Sequence, residues 1–135
     1  MHVLAFAPSL RATLNGRGGV DAEGFPMTSA HVAAFPGKIT IPLVLAVYSH
    51  SGVDYEPRQF IIARSAEGEV LGSLEATWFW PDIPGSPVKF WVFAPYLEML
   101  VPAPGVYGVG LYDQPDATVT DHVFPLPVIA ADTST

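Results

Sequence analysis

The stretch TIPLVLAVYS, residues 40–49, stays apolar along nearly its whole length, and that decides how the rest of the chain is read. Successive side chains of an extended chain point to opposite faces. Ile41, Leu43, Leu45 and Val47 therefore share one face, and Pro42, Val44, Ala46 and Tyr48 share the other. A strand that is apolar on both sides needs cover on both sides, whereas a half-solvated strand alternates apolar with polar. One cover is an opposing sheet. The other is a loop, the N-terminal strand or a second subunit.

VKFWVF, residues 88–93, poses the same problem, with Val88, Phe90 and Val92 against Lys89, Trp91 and Phe93. It closes EATWFWPDIPGSPVKFWVFAP, residues 75–95, which holds all three tryptophans of the chain and a Pro-Gly turn. Bulky apolar rings are expected to point away from the core here. Trp, Tyr and Phe are enriched at subunit interfaces, so Trp78, Trp80, Trp91, Phe93 and Tyr48 are the candidate interface or ligand-stacking residues.

Around these stretches, 14 prolines and 12 glycines separate segments rich in Val, Ile, Phe, Tyr and Trp, the pattern of short strands and turns. Strands are predicted at residues 2–7, 20–25, 30–35, 40–49, 58–65, 70–79, 88–93, 105–112 and 119–128. PYLEML, residues 95–100, begins with Pro at a possible first helical position and is allowed one turn of helix before Pro102 and Pro104. Hairpins are predicted through residues 66–68 and through residues 113–116, where Gly, Pro and Asp favour turn dihedrals. About seven to nine antiparallel strands close most simply as two packed sheets, an all-β sandwich. The length of 135 residues suits one domain, with residues 1–129 as its ordered core and the small, polar 130–135 as a flexible tail.

Charged residues make up 14% of the chain, well below the roughly 25% of ordinary soluble domains. Apolar surface is left uncovered. Thirteen acidic residues against six basic ones give a net charge of −7, which opposes a phosphate backbone and excludes nucleic acid as the expected partner. The longest apolar run, residues 41–48, is too short to cross a bilayer, so no membrane is expected either. Residues 1–16 lack a basic leader, and the apolar residues 3–7 are too few for a signal-peptide core. A cytoplasmic location, or a place in a particle assembled there, is the expectation. With no cysteine there is no disulfide framework, thiolate catalysis or Cys-ligated zinc.

Chemistry finds little support. His2, His31, His50 and His122 show no local zinc spacing. In Ser49-His50-Ser51 the neighbours point to opposite faces of a strand and do not share a proton. Asp113, Asp116 and Asp121, with His122 alongside, offer hard oxygens at a turn and are a weak calcium candidate that lacks the regular spacing of known calcium loops. Glu75 and Asp82 near the tryptophans suggest a glycosidase pair or a sugar platform, but Glu75 reads as an ordinary solvent-facing strand position. GVYGVG, residues 105–110, has no helix after it, and NGRGGV, residues 15–20, lacks the Lys-Ser/Thr of a phosphate loop.

The order of AAFPGKITIPLVLAVYSHSG, RQFIIARSAEGEVLGSL, VPAPGVYGVGLYDQ and FPLPV, which spans residues 33–128, resembles a bacterial family of uncharacterised proteins of this length. Its marks are Phe-Pro before a long strand, an Asp/Glu-Gly hairpin and a Pro-Gly-x-Tyr strand leading into the last hairpin; the aromatic segment 78–93 departs from it. The resemblance implies an immunoglobulin-like β-sandwich and implies no activity, ligand or catalytic residue. The expectation is a non-enzymatic interaction or structural module, self-associating as a homo-oligomer or docking on a protein partner through an aromatic sheet face, with no cofactor. A carbohydrate or small-ligand module using Trp78, Trp80 and Trp91 is the alternative.

Overall fold

The computed structural model describes residues 1–131, and these contain β-strands, turns and no helix. The strands are β1 (His2–Pro8), β2 (Arg11–Leu14), β3 (Val20–Glu23), β4 (Ala30–Val32), β5 (Gly37–His50), β6 (Arg58–Arg64), β7 (Val70–Thr77), β8 (Val88–Phe93), β9 (Tyr96–Val101), β10 (Gly105–Tyr112) and β11 (Val123–Ala130). Among the described residues no helix is long and apolar enough to cross a membrane.

The long strand β5 organises the first sheet. It pairs with β1 on one side, and on the other with β8 (Leu45↔Phe93) and β9 (Pro42↔Tyr96). The register runs on without a shift from Pro42↔Tyr96 to Leu45↔Phe93, so β8 and β9 are one antiparallel run broken only at Ala94 and Pro95. The Pro95 carbonyl still accepts from the Leu43 amide at 2.8 Å. The second sheet has the order β4-β11-β10-β6-β7, and β2 with β3 forms a separate hairpin.

The inner face of β5 behaves as its alternation requires, with Ile41, Leu43, Leu45 and Val47 all essentially inaccessible. They share one cluster with Ile61 and Ala63 of β6, Val109 and Leu111 of β10, and Leu126 and Val128 of β11, so the two larger sheets bury a common core. At roughly 1.5–3 kcal/mol per fully buried large aliphatic side chain, this cluster is the main cohesive element of the fold.

Five features differ from the sequence reading. Residues 95–100 are strand, because Leu97, Met99 and Val101 are buried while Tyr96, Glu98 and Leu100 are exposed, the period of a strand, and because β5 offers a ladder for them. The Arg11–Leu14 strand was not anticipated, since Ala12 alone among its residues is buried. The sheets are not wholly antiparallel: the short β4 runs parallel to β11 (Ile129↔His31). The last hairpin turns through a wider loop than residues 113–116. Thr120 Oγ1 donates to the Leu111 carbonyl at 2.5 Å and Val119 stands 85% exposed, so β11 begins at Val123 rather than 119. The loop at residues 66–68 is as read, with Gly68 at φ 89°. The predicted tail is strand at Ala130, and the Ala131 amide donates to the Val32 carbonyl at 2.8 Å; residues 132–135 lie outside the described residues.

Candidate functional site

Alternation along β8 settles where the rings point. Lys89, Trp91 and Phe93 pair with Ser49, Val47 and Leu45 and lie on the core side, while Phe90 pairs with Tyr48 on the outer side. Trp78 and Trp80 follow β7 and continue its alternation: their amides donate to the Pro57 and Tyr55 carbonyls in the register of Arg58↔Thr77, and both rings fold inward onto this group. Ring centroids are 5.6 Å apart for Trp78 and Trp80, 4.8 Å for Trp78 and Phe93, and 6.3 Å for Trp78 and Trp91. Four of the five candidate residues, Trp78, Trp80, Trp91 and Phe93, therefore form one inward aromatic cluster. Trp80 is 1% exposed and Trp78 9%, so neither presents a ring face to a ligand; Trp91 and Phe93 are partly buried against the core.

The fifth, Tyr48, belongs to the outer face of β5. Its ring stacks on His2 at 4.7 Å, lies 5.9 Å from Phe90 and meets His50 edge-on at 6.5 Å. Phe90 is 54% exposed. This outward-facing aromatic surface holds Tyr48 alone of the five candidates, together with His2, His50 and Phe90. The rest of that face has a cover: the β2–β3 hairpin folds across the sheet, anchored where the Ser9 amide donates to the Pro42 carbonyl at 2.8 Å and the Ser9 hydroxyl lies within hydrogen-bond distance of both the Arg11 and Glu23 carbonyls, to one of which it donates. Val44 and Ala12 are buried. The tip of the hairpin reaches β8, where Leu14, Gly16, Gly18 and Gly19 face Phe90, Trp91 and Val92 across a groove of about 380 Å³.

On the inner side, Lys89 is wholly buried. Its ammonium donates to the Trp80 carbonyl at 2.8 Å and to Asp82 Oδ1 at 3.2 Å, and lies 4.4 Å from the centre of the Tyr55 ring. A buried ammonium survives only with such partners. Asp82 also accepts from the Tyr55 hydroxyl at 2.7 Å and the Gly52 amide at 3.1 Å, so one carboxylate ties the β5–β6 loop to the β7–β8 loop. The Tyr55 hydroxyl, then the Gly52 amide, hold the Asp82 carboxyl below its usual value, and Asp82 in turn raises Tyr55. Asp54, at φ 54°, is lowered chiefly by the Ser49 hydroxyl at 2.5 Å and next by the Met1 ammonium at 3.1 Å.

No arrangement for bond chemistry is built from these groups. The Ser29 hydroxyl lies 3.3 Å from His31 Nε2, but on an exposed strand end, and among the described residues no carboxylate is hydrogen-bonded to the imidazole. Glu75 pairs with Arg58 at 2.6 Å on the surface and Asp82 with Lys89, so the two carboxylates do not form a facing pair. The calcium candidate also fails to assemble. Asp113 and Asp121 line a cleft of about 520 Å³ that Asp116 does not reach, and Asp113 is engaged by Gln59 Nε2 at 2.9 Å. Among the described residues no group of three or more His, Cys, Asp or Glu is placed to hold a metal ion.

Family models, curated proteins and solved structures were compared with the chain, and none matches. Function must therefore be argued from the geometry.

Sequence reading missed Lys89, His2, His50 and Phe90 as parts of a site. For Lys89 a signal existed: a single cation on the same strand face as Trp91 and Phe93. For the histidines the signal was pairing across strands, since His2↔Tyr48 and Tyr48↔Phe90 follow once the registers of β1, β5 and β8 are known.

Proposed function

We propose that this chain is a non-enzymatic interaction module on an immunoglobulin-like β-sandwich, self-associating through the outer face of β1, β5 and β8. The observation that carries the reading is the cluster of His2, Tyr48, His50 and Phe90, rings left open on a sheet face whose other half is covered by the β2–β3 hairpin. Aromatic side chains of this kind are the anchors of protein interfaces. The cluster contains no Lys, Arg, Asp or Glu, so two copies meet there without like charges opposing each other, despite a net charge of −7.

The strand order supports the sandwich. β1, β5 and the β8–β9 run make three strands on one side, and β4, β11, β10, β6 and β7 make five on the other, with β9 to β10 passing between the sheets. At that passage the Tyr107 hydroxyl donates to the Ala103 carbonyl at 2.5 Å, the tyrosine corner common in immunoglobulin-like folds. A sugar-stacking module built on the tryptophans has less support, because Trp78 and Trp80 are buried.

Light scattering on the purified chain over about a hundredfold concentration range tests the reading, since self-association follows mass action. The wild type is expected to exceed the monomer mass, and Tyr48→Glu to return it to the monomer with its fold intact. A wild-type chain that stays monomeric at every concentration removes the proposal.

A further inference from the structure

β8 has one edge paired with β5 and one edge free, and the register shows which backbone groups the free edge carries. The Ser51 amide donates to the Pro87 carbonyl and the Leu43 amide to the Pro95 carbonyl, so the hydrogen-bonded pairs of this ladder fall on odd-numbered residues. Lys89, Trp91 and Phe93 therefore direct their N–H and C=O toward β5, and Val88, Phe90 and Val92 direct theirs away from it. The Ser86 hydroxyl takes the Val88 pair, accepting from its N–H at 3.3 Å and donating to its C=O at 2.5 Å. Among the described residues the backbone N–H and C=O of Phe90 and Val92 have no protein partner.

The other edges of the two large sheets are blunted in the ways that natural sheets use. β1 carries a register shift between Val3 and Ala5, β4 is three residues long, and β7 lies against β9 with Gly72 facing the Glu98 carbonyl. On β8 the one charged residue, Lys89, points inward and is buried, so it guards nothing. Beside this edge lies the groove of about 380 Å³, lined by Leu14, Gly16, Gly18, Gly19, Phe90, Trp91 and Val92 and by no residue of β5. It therefore runs off the edge of the sheet rather than over its face. Its far wall is glycine, which lets another backbone approach closely. Arg17, between the wall glycines, has an exposed side chain, and among the described residues its guanidinium has no acidic partner.

We infer that this edge is a strand-addition site: an extended peptide segment of a partner, apolar at alternate positions and carrying a carboxylate that meets Arg17, hydrogen-bonds to Phe90 and Val92 and lies between β8 and the β2–β3 tip. Main-chain bonds supply the affinity, and the groove with Arg17 supplies the selection. The edge shares Phe90 with the Tyr48 cluster, through its backbone and the groove rather than its contact with the Tyr48 ring, and different variants, Val92→Pro and Tyr48→Glu, test the two proposals.

The test is a selection of short random peptides on the folded full-length chain, followed by hydrogen exchange of the ¹⁵N-labelled protein with and without the selected peptides made synthetically. Enriched peptides are expected to alternate apolar residues beside an Asp or Glu, and to protect the amides of Phe90 and Val92. Val92→Pro removes a free-edge donor while leaving the β5 ladder intact, so it is expected to abolish binding with the thermal transition retained. Arg17→Glu, at an exposed position, is expected to weaken binding about tenfold and covers the case in which Val92→Pro does not fold. Peptides that bind but leave both amides unprotected, or no alternating peptide in the selection, overturn the inference and leave the outer-face reading to its own test. A wild type that self-associates and becomes monomeric on Val92→Pro, with Tyr48→Glu without effect, makes the occupant a second copy and overturns both.

Discussion

The Lys89 ammonium is wholly buried, yet its partner Asp82, 3.2 Å away, has a side chain 37% exposed. The two ends of this ion pair therefore have different alternatives when the other is removed. Without Asp82, the ammonium keeps the Trp80 carbonyl and the Tyr55 ring but has no counter-charge in a place that water does not reach. Without Lys89, the carboxylate keeps the Tyr55 hydroxyl, the Gly52 amide and solvent. Asp82→Ala is thus expected to lower the thermal midpoint clearly more than Lys89→Met, which keeps the apolar stem and abolishes the buried charge. Calorimetry of the two single variants and the double variant checks this, and the double is expected to lie close to Lys89→Met alone. Equal losses for the two singles would count against an asymmetric pair.

The same carboxylates set the pH response. Asp54 and Asp82 both sit below the ordinary value of 3.8, the first through the Ser49 hydroxyl and the second through the Tyr55 hydroxyl. A carboxyl lowered in the folded state contributes stability that is complete above its unfolded value and is lost as pH falls through the folded one. The melting temperature is therefore expected to hold steady down to about pH 4 and to fall below it, and to fall less steeply in Asp54→Asn and Asp82→Asn. Tyr55, raised above 10.0 by the same hydrogen bond to Asp82, works in the opposite sense: its contribution is complete below that value and is lost as pH rises beyond it. Tyr55→Phe is expected to flatten the alkaline limb of the same melting curve.

Tyr107 is 4% exposed, and its hydroxyl joins the start of β10 to the chain leaving β9. Tyr107→Phe keeps the ring in the core and leaves the Ala103 carbonyl without its donor. A loss of about 1–2 kcal/mol in urea unfolding is expected, with an unchanged slope because the buried area is the same.

What the sequence revealed followed from period, and what it hid depended on neighbours in space. Ile41, Leu43, Leu45 and Val47 are buried as their alternation requires, because a two-residue period fixes a face once a strand is known. On residues 88–93 both faces are apolar, so period alone does not say which one is inside; the partners that decide it, Tyr55 and Asp82, sit in two other loops. Trp78 and Trp80 continue the alternation in which Leu74 and Ala76 face the core, with Phe79 64% exposed between them, so their burial follows from which face of β7 packs inward, and that face is set by the opposing sheet. PYLEML was misread because Pro95 suits a helix start as well as a strand break, although Leu97, Met99 and Val101 already showed the strand period. The outer cluster drew His2, Tyr48 and Phe90 from three strands, and only their registers bring them together.

The contact between β7 and β9 depends on one absent side chain. Gly72 pairs with Ala63 in the second sheet, and a Cβ at this position would overlap the Glu98 carbonyl and crowd the Met99 backbone. Its φ is not in the left-handed region, so the need for glycine here is one of space. The obstacle is largely backbone, held by the β5–β9 ladder at Thr40↔Glu98 and Ile39↔Met99, and it has no rotamer to escape into. Gly72→Ala is therefore expected to destabilise by about 1–3 kcal/mol, the range for overpacking a filled interior, although alanine is otherwise the better strand residue. Gly105→Ala, where nothing stands within 4 Å of the new methyl, is the matched control and is expected to be neutral or slightly stabilising. Denaturant melts of the two variants decide it: a Gly72→Ala chain as stable as the control would mean that β7 and β9 are not held this close, and that the free edge of β7 is open as well.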